Sequence, residues 1–208
     1  MDVALFPQEK AVIRRSNDKR RREFTTVRWC ARHALERLGE APHPLIPDEC
    51  GAPRWPDGIV GSMTHCEGYR AAAVARTRAY RVIGIDAEPD QPVPKGVLEM
   101  VALPTELRRL SALGEGDPRI SWDRLLFSAK EAVYKSWYPL TRRPLGFQQA
   151  DIDILPDGNF TAHLSPSLRH PVLDRFAGRW TADRGLLLTV IAVPAGEQSP
   201  VYGRTRTA

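Results

Sequence analysis

The sequence predicts an α+β fold made of two similar α/β lobes related by a pseudo-two-fold axis. Two observations predict it. Apolar residues recur at helical spacing in two stretches, residues 19–38 and 121–138. Each stretch is followed by short β-rich or alternating runs punctuated by Gly, Pro, Asn and Asp. Helix then strands, twice over, suits two lobes of one plan, although no repeat is visible as sequence identity. At 208 residues the chain has room for one large domain or two small lobes with a real core.

In the first helical stretch Phe24, Val27, Ala31, Ala34, Leu35 and Leu38 form the apolar stripe, and Gly39 ends it. Arg20, Phe24 and Arg28 fall on one line of this helix, so two guanidiniums can converge on one anion; a solvated basic face is the plainer reading. Residues 40–58, rich in Pro, Gly and Asp, form a loop. Residues 59–64 and 69–75 read as strands around a Glu67-Gly68 turn, and 81–87 as a third. A loop holding Pro89, Pro92 and Pro94 comes next. A helix over 105–113 stops at Gly114, and the long helix over 121–138 is expected to end at Pro139. Residues 151–155 and 160–164 flank the turn Pro156-Asp157-Gly158-Asn159. Residues 176–181 and 186–193 flank Asp183-Arg184-Gly185 as a last hairpin. The expected division is an N-terminal lobe over 1–103, a C-terminal lobe over 104–194 and a flexible tail over 195–208.

Composition is that of an ordinary soluble domain, 42% hydrophobic and 26% charged. No apolar run approaches a membrane span and no signal-peptide core is present, so a cytoplasmic protein is expected. Cys30, Cys50 and Cys66 are odd in number and lack a CxxC, which suggests neither a disulfide framework nor a zinc site. The net charge of +5, concentrated in part in Lys19-Arg20-Arg21-Arg22, asks for an anionic partner. No helix-turn-helix, zinc-finger or RNP-like pattern turns that charge toward bases, so nucleic acid is not expected.

The chemistry lies in two segments. Glu131 and Lys135 are four residues apart on the long helix and share a face. They lie away from the centre of its apolar stripe, Leu126, Ala129, Val133 and Trp137. Asp86 and Glu88 are two residues apart and share one face of a strand. Three carboxylates and an amine are the kit for holding Mg²⁺ against a phosphate ester. Either segment alone is ordinary: a surface ion pair in one case, turn-forming acids in the other. Lys130 falls inside the apolar stripe and reads as structural, snorkelling along the core edge or pairing with an acid.

With Gly61-Ser62-Met63-Thr64-His65, the segments Gly84-Ile85-Asp86-Ala87-Glu88 and Phe127-Ser128-Ala129-Lys130-Glu131 through Lys135 stand in a telling order. Together they resemble the G-S-x-x-H, G-I-D-x-E and F/W-S/C-x-K-E-x-x-x-K motifs of the phosphopantetheinyl transferases. The likeness is to the monomeric type serving secondary-metabolite and siderophore synthases, in its actinobacterial branch, and runs from about Phe24 through Phe147. The resemblance implies a duplicated fold with coenzyme A at the lobe interface. It implies transfer of 4'-phosphopantetheine to a serine of apo acyl or peptidyl carrier proteins, typically acidic, with release of 3',5'-adenosine bisphosphate. Arg20, Arg28, Thr64, His65, Asp86 and Lys135 would meet coenzyme A. Asp86, Glu88 and Glu131 would hold Mg²⁺. Glu131 would accept the serine proton, directly or through a metal-bound water, Lys135 would stabilise the leaving group, and Asp86 completes the catalytic set. The sequence departs from the family where Gly51-Ala52-Pro53 lacks a lysine; Arg54 is the candidate replacement. Met1 is expected to be a trimmed or late start. The alternatives are a Mg²⁺-dependent phosphohydrolase and a non-enzymatic nucleic-acid binder.

Overall fold

The computed structural model describes residues 4–168 and 174–196; most of the expected tail lies outside them. The chain runs α1 (Pro7–Val12), α2 (Asp18–Arg37), β1 (Ile59–Cys66), β2 (Tyr69–Arg76), β3 (Tyr80–Pro89), α3 (Val97–Val101), α4 (Pro104–Gly116), α5 (Trp122–Thr141), β4 (Ala150–Ile154), β5 (Asn159–Leu164), β6 (Arg175–Asp183) and β7 (Leu186–Pro194). The fold is mixed α+β with two sheets: the hairpin β1-β2 and a five-stranded antiparallel sheet in the order β3-β7-β6-β5-β4.

The predicted basic helix is α2. The Asn17 side chain caps it by accepting the Arg20 N–H at 2.8 Å. Its buried Ala31 and Leu35 pack with Leu45 and Ile59 in a small core beneath the hairpin. The main core forms where Leu125, Leu126, Ala129, Val133 and Trp137 of α5 meet the inner face of the large sheet, including Ile152, Phe160, Phe176, Leu187 and Ile191. Alternating burial along β4 and β7 gives that sheet one inner face. Each fully buried Leu, Ile or Phe contributes on the order of 1.5–3 kcal/mol.

Three features depart from the sequence expectations. First, β3 lies in the large sheet, antiparallel to β7 from Tyr80↔Pro194 to Pro89↔Leu186, although it follows the hairpin in the chain. It also packs along β1, where the link is made by side chains: the Ser62 and Thr64 hydroxyls accept the Ile85 and Ala87 N–H groups at 3.1 and 3.0 Å. Two hydroxyls thus satisfy β3 amides that lie off the β7 ladder. Second, Pro139 does not end α5, which continues to Thr141 and closes with Arg142 in the left-handed region at φ 55°. Pro139 brings no N–H to the α5 ladder, and the helix closes beyond it through the Arg142 N–H, which reaches the Tyr138 carbonyl at 2.8 Å. Third, α1 and α3 are too short to show a periodicity. A buried acid fixes α1, since Glu9 accepts from the Phe6 and Leu45 N–H groups and from Arg32.

Candidate active site

A glycine brings the two acidic segments together. A Cβ at Gly84 would collide with the Ser136 hydroxyl and the Ala132 carbonyl, so only glycine lets α5 lie this close on β3. Ala132 and Ser136 are fully buried and small, and the Ser136 hydroxyl is tucked onto the Ala132 carbonyl at 2.8 Å. At this approach Lys135 crosses to β3, donating to the Ile85 carbonyl at 3.2 Å and to Asp86 Oδ1 at 2.6 Å.

Asp86 is 5% exposed. Its Oδ1 accepts from Lys135 and from the Thr64 hydroxyl at 3.1 Å. Its Oδ2 is buried and has no hydrogen-bond partner among the described residues. A buried carboxylate oxygen left in this state is costly unless a cation or ligand completes it. Glu88 pairs with Arg124 at 3.0 Å, and Arg124 also grips the Gln91 and Pro92 carbonyls. Burial holds the Glu88 carboxyl above the usual carboxylate range, with Asp86 adding to this and Arg124 opposing it. Glu131 is shifted the same way, chiefly by burial, with Lys135 opposing and Asp86 adding. Among the described residues, no three His, Cys, Asp or Glu side chains converge into a ready-made metal cluster. Mg²⁺ does not require one, because it is commonly held by one or two carboxylates with substrate phosphate oxygens and waters. The hard, unpartnered oxygen of Asp86 fits such a cation.

A cavity of about 780 Å³ opens beside this centre, between α2, the 47–55 loop, β1 and α5. It brings together Arg20, Arg28, His65, Glu131 and Lys135, and adds Arg54, Arg81 and Arg142. Asp86 and Thr64 border a separate hollow of about 420 Å³, and Lys135 is the link from the cleft to Asp86. Arg20 Nη1 lies 3.3 Å from His65 Nε2, and Glu23 lies 4.0 Å from His65 Nδ1. Burial foremost, opposed by Glu23 and helped by Arg20, Lys135 and Arg70, pulls the His65 pKa below its ordinary value. Arg28 is 5% exposed, stacked 3.1 Å over the Phe24 ring and donating Nε–H to the Leu45 carbonyl. Burial lowers its pKa to about 10, which still leaves it charged at neutral pH.

Sequence reasoning missed Arg124, the partner of Glu88. It lies two turns before Glu131 on the same line of α5, so a helical wheel carries the signal. It also missed Tyr134 and Tyr138, stacked on the cleft side with centroids 6.0 Å apart. Lys130 is 2% exposed and gives its amine to Glu106 and to the Phe147 and Ala150 carbonyls, at 2.8, 2.8 and 2.9 Å. No helix among the described residues is long and apolar enough to cross a membrane.

Comparison with known proteins meets this geometry from another direction. A family model described as the 4'-phosphopantetheinyl transferase N-terminal domain matches residues 8–75. One described as the 4'-phosphopantetheinyl transferase superfamily matches residues 82–183. The chain is 53% identical over 213 residues to 4'-phosphopantetheinyl transferase Svp of Streptomyces mobaraensis, covering 98% of this chain and 87% of that protein. It is 48% identical to 4'-phosphopantetheinyl transferase Npt of Nocardia iowensis, covering 92% and 90%. It is 47% identical to 4'-phosphopantetheinyl transferase PptT of Mycobacterium tuberculosis, covering 90% and 86%.

Proposed function

The chain belongs to the 4'-phosphopantetheinyl transferase family, enzymes that load phosphopantetheine onto carrier proteins, and on that premise we propose how its residues divide the work. Coenzyme A lies in the 780 Å³ cleft between the half built on α2 and the hairpin and the half built on α5 and the large sheet. The lobes proposed over 1–103 and 104–194 would meet at this cleft, except that β3, within the first range, lies in the sheet of the second. Arg20, Arg28 and His65 take the nucleotide-side phosphates, and Arg54, at the cleft wall, supplies the charge that Ala52 does not. Charge-assisted bonds from a convergent pair of guanidiniums suit a phosphate dianion.

The observation that carries this reading is the buried Oδ2 of Asp86, which has no hydrogen-bond partner among the described residues, next to Lys135, which lines the cation-rich cleft. Asp86, with Glu88 and Glu131, would hold Mg²⁺, which when bound supplies charge neutralisation on the pyrophosphate. Glu131 accepts the proton of the attacking serine, a role suited to a carboxylate whose proton affinity burial has raised. The serine oxygen bonds to the phosphorus next to pantetheine. The bond from that phosphorus to the bridging oxygen breaks, and its electron pair leaves with 3',5'-adenosine bisphosphate. Lys135 stabilises the charge gathering on that leaving group.

The acceptors are acidic acyl and peptidyl carrier proteins, drawn by the net charge of +5, and the enzyme works as a cytoplasmic monomer. The test is intact-mass spectrometry of an apo carrier protein incubated with coenzyme A, Mg²⁺ and this protein. Addition of one phosphopantetheine to a serine, with 3',5'-adenosine bisphosphate released, is expected. An unmodified carrier, or free phosphopantetheine in solution, would overturn the reading.

A further inference from the structure

We propose that Thr64 is a positioning residue that orients Asp86 for the metal, and that it makes no contact with a coenzyme A phosphate. The inference rests on the transferase reading of the site and goes beyond it in assigning a role to a hydroxyl outside the cleft. Strand geometry is the first argument. Successive side chains on a strand point to opposite faces, which sets Thr64 and His65 on opposite sides of β1. His65 faces α2, where it meets Arg20. Thr64 faces β3 and is 4% exposed, and it does not border the cleft that His65 lines.

Hydrogen-bond capacity is the second argument. A threonine hydroxyl has one proton. That proton is spent on Asp86 Oδ1 at 3.1 Å, while the oxygen accepts the Ala87 N–H at 3.0 Å. The hydroxyl is therefore locked between the backbone of β3 and the carboxylate. Thr64 and Lys135 both bond the same oxygen, Oδ1, from different elements. Two donors on Oδ1 fix the rotation of the carboxylate and leave Oδ2 as the free ligand atom. Ser62 supplies an internal comparison. Its hydroxyl accepts the Ile85 N–H at 3.1 Å, the same stitch across the same seam, but it has no bond to Asp86. The two hydroxyls share the seam, and only Thr64 adds the carboxylate.

The experiment measures metal binding directly. Mn²⁺, as a paramagnetic stand-in for Mg²⁺, is titrated into coenzyme A-saturated protein and the free ion is read by electron paramagnetic resonance. Coenzyme A binding without metal is measured by calorimetry in chelator, and each variant is melted. Thr64→Val should weaken Mn²⁺ binding by about tenfold or more, the usual cost of losing a partner that orients a metal ligand. Its metal-free coenzyme A affinity should stay at the wild-type value, and Thr64→Ser should restore metal binding. Ser62→Ala should lower the melting temperature without shifting Mn²⁺ affinity. Should Thr64→Val fail to fold, Thr64→Cys, which keeps only a weak donor, is expected to show the same metal defect. Unchanged Mn²⁺ affinity in these Thr64 variants, or a matching loss of metal-free coenzyme A affinity, would overturn the inference. A wild-type protein that loads no carrier would instead overturn the transferase reading, so the two failures are distinguishable.

Discussion

Two lysines five residues apart on α5 each reach a buried acid, and the two pairs are finished differently. Lys130 meets Glu106, whose oxygens also accept the Leu103 and Ile152 N–H groups, while the amine takes two further carbonyls. The charges and polar atoms of that network are answered by protein. Lys135 meets Asp86, where one carboxylate oxygen carries two bonds and the other carries none among the described residues. The first arrangement ties α5, α4 and β4 together. The second holds a ligand atom in reserve beside a lysine that lines the open cleft. Among buried ion pairs, incomplete satisfaction separates the site from the scaffold.

This contrast can be broken most directly at the two pairs themselves. Asp86→Ala should abolish transfer at every Mg²⁺ concentration while leaving the melting temperature close to wild type, because Lys135 is partly exposed and can hydrate. Activity near wild type across the titration would remove Asp86 from the chemistry. Lys130→Ala should do the reverse. Stranding the buried Glu106 should cost about 3–5 kcal/mol in denaturant unfolding, with the rate of the folded fraction in single-turnover transfer unchanged. A stable but inactive Lys130→Ala enzyme would erase the distinction between the pairs.

Glu131 tests the site from the helix side. Glu131→Gln should lower single-turnover transfer by about 10² or more while keeping coenzyme A affinity; a fully active variant would leave α5 a scaffold only. A smaller effect is expected on the cleft wall. Arg20→Ala should weaken coenzyme A by roughly tenfold and its 3'-dephospho analogue much less, since a charge-assisted bond to a dianion is lost. Equal losses would mean that Arg20 only decorates the surface. The smallest effect concerns His65, whose proton affinity is depressed in the free protein. A bound phosphate dianion favours the imidazolium, so the pKa should rise on binding and protons should be taken up. Affinity should then increase as the pH falls through the ordinary histidine range. Calorimetry in buffers of different ionisation enthalpy reads the uptake, which should vanish in His65→Gln.

Much of the local structure was legible. The apolar stripe of residues 19–38 became α2, and the pairing of Glu131 with Lys135 on one helix face held because α5 is regular there. Both i,i+4 on a helix and i,i+2 on a strand are backbone periodicities, fixed before any tertiary contact. The placement of β3 was not legible, because its partner β7 lies about a hundred residues away and either sheet offers it an apolar neighbour. The division proposed between Thr64 and His65 rests in part on alternation along β1, a local pattern, whereas motif reading assigned both to one ligand.

The sequence by itself therefore determined the elements, their inward faces, and which acids and bases share each local surface. It also carried the family, through three ordered motifs that need no structure to be read. Tertiary structure decided which acid is completed by protein and which is left open. That outcome depends on a glycine that lets α5 press onto β3, on hydroxyls that replace a backbone ladder at the seam, and on where Arg124 and Glu106 come to rest. Satisfaction of a buried polar atom is a sum over neighbours from distant parts of the chain, and no window along the sequence contains that sum.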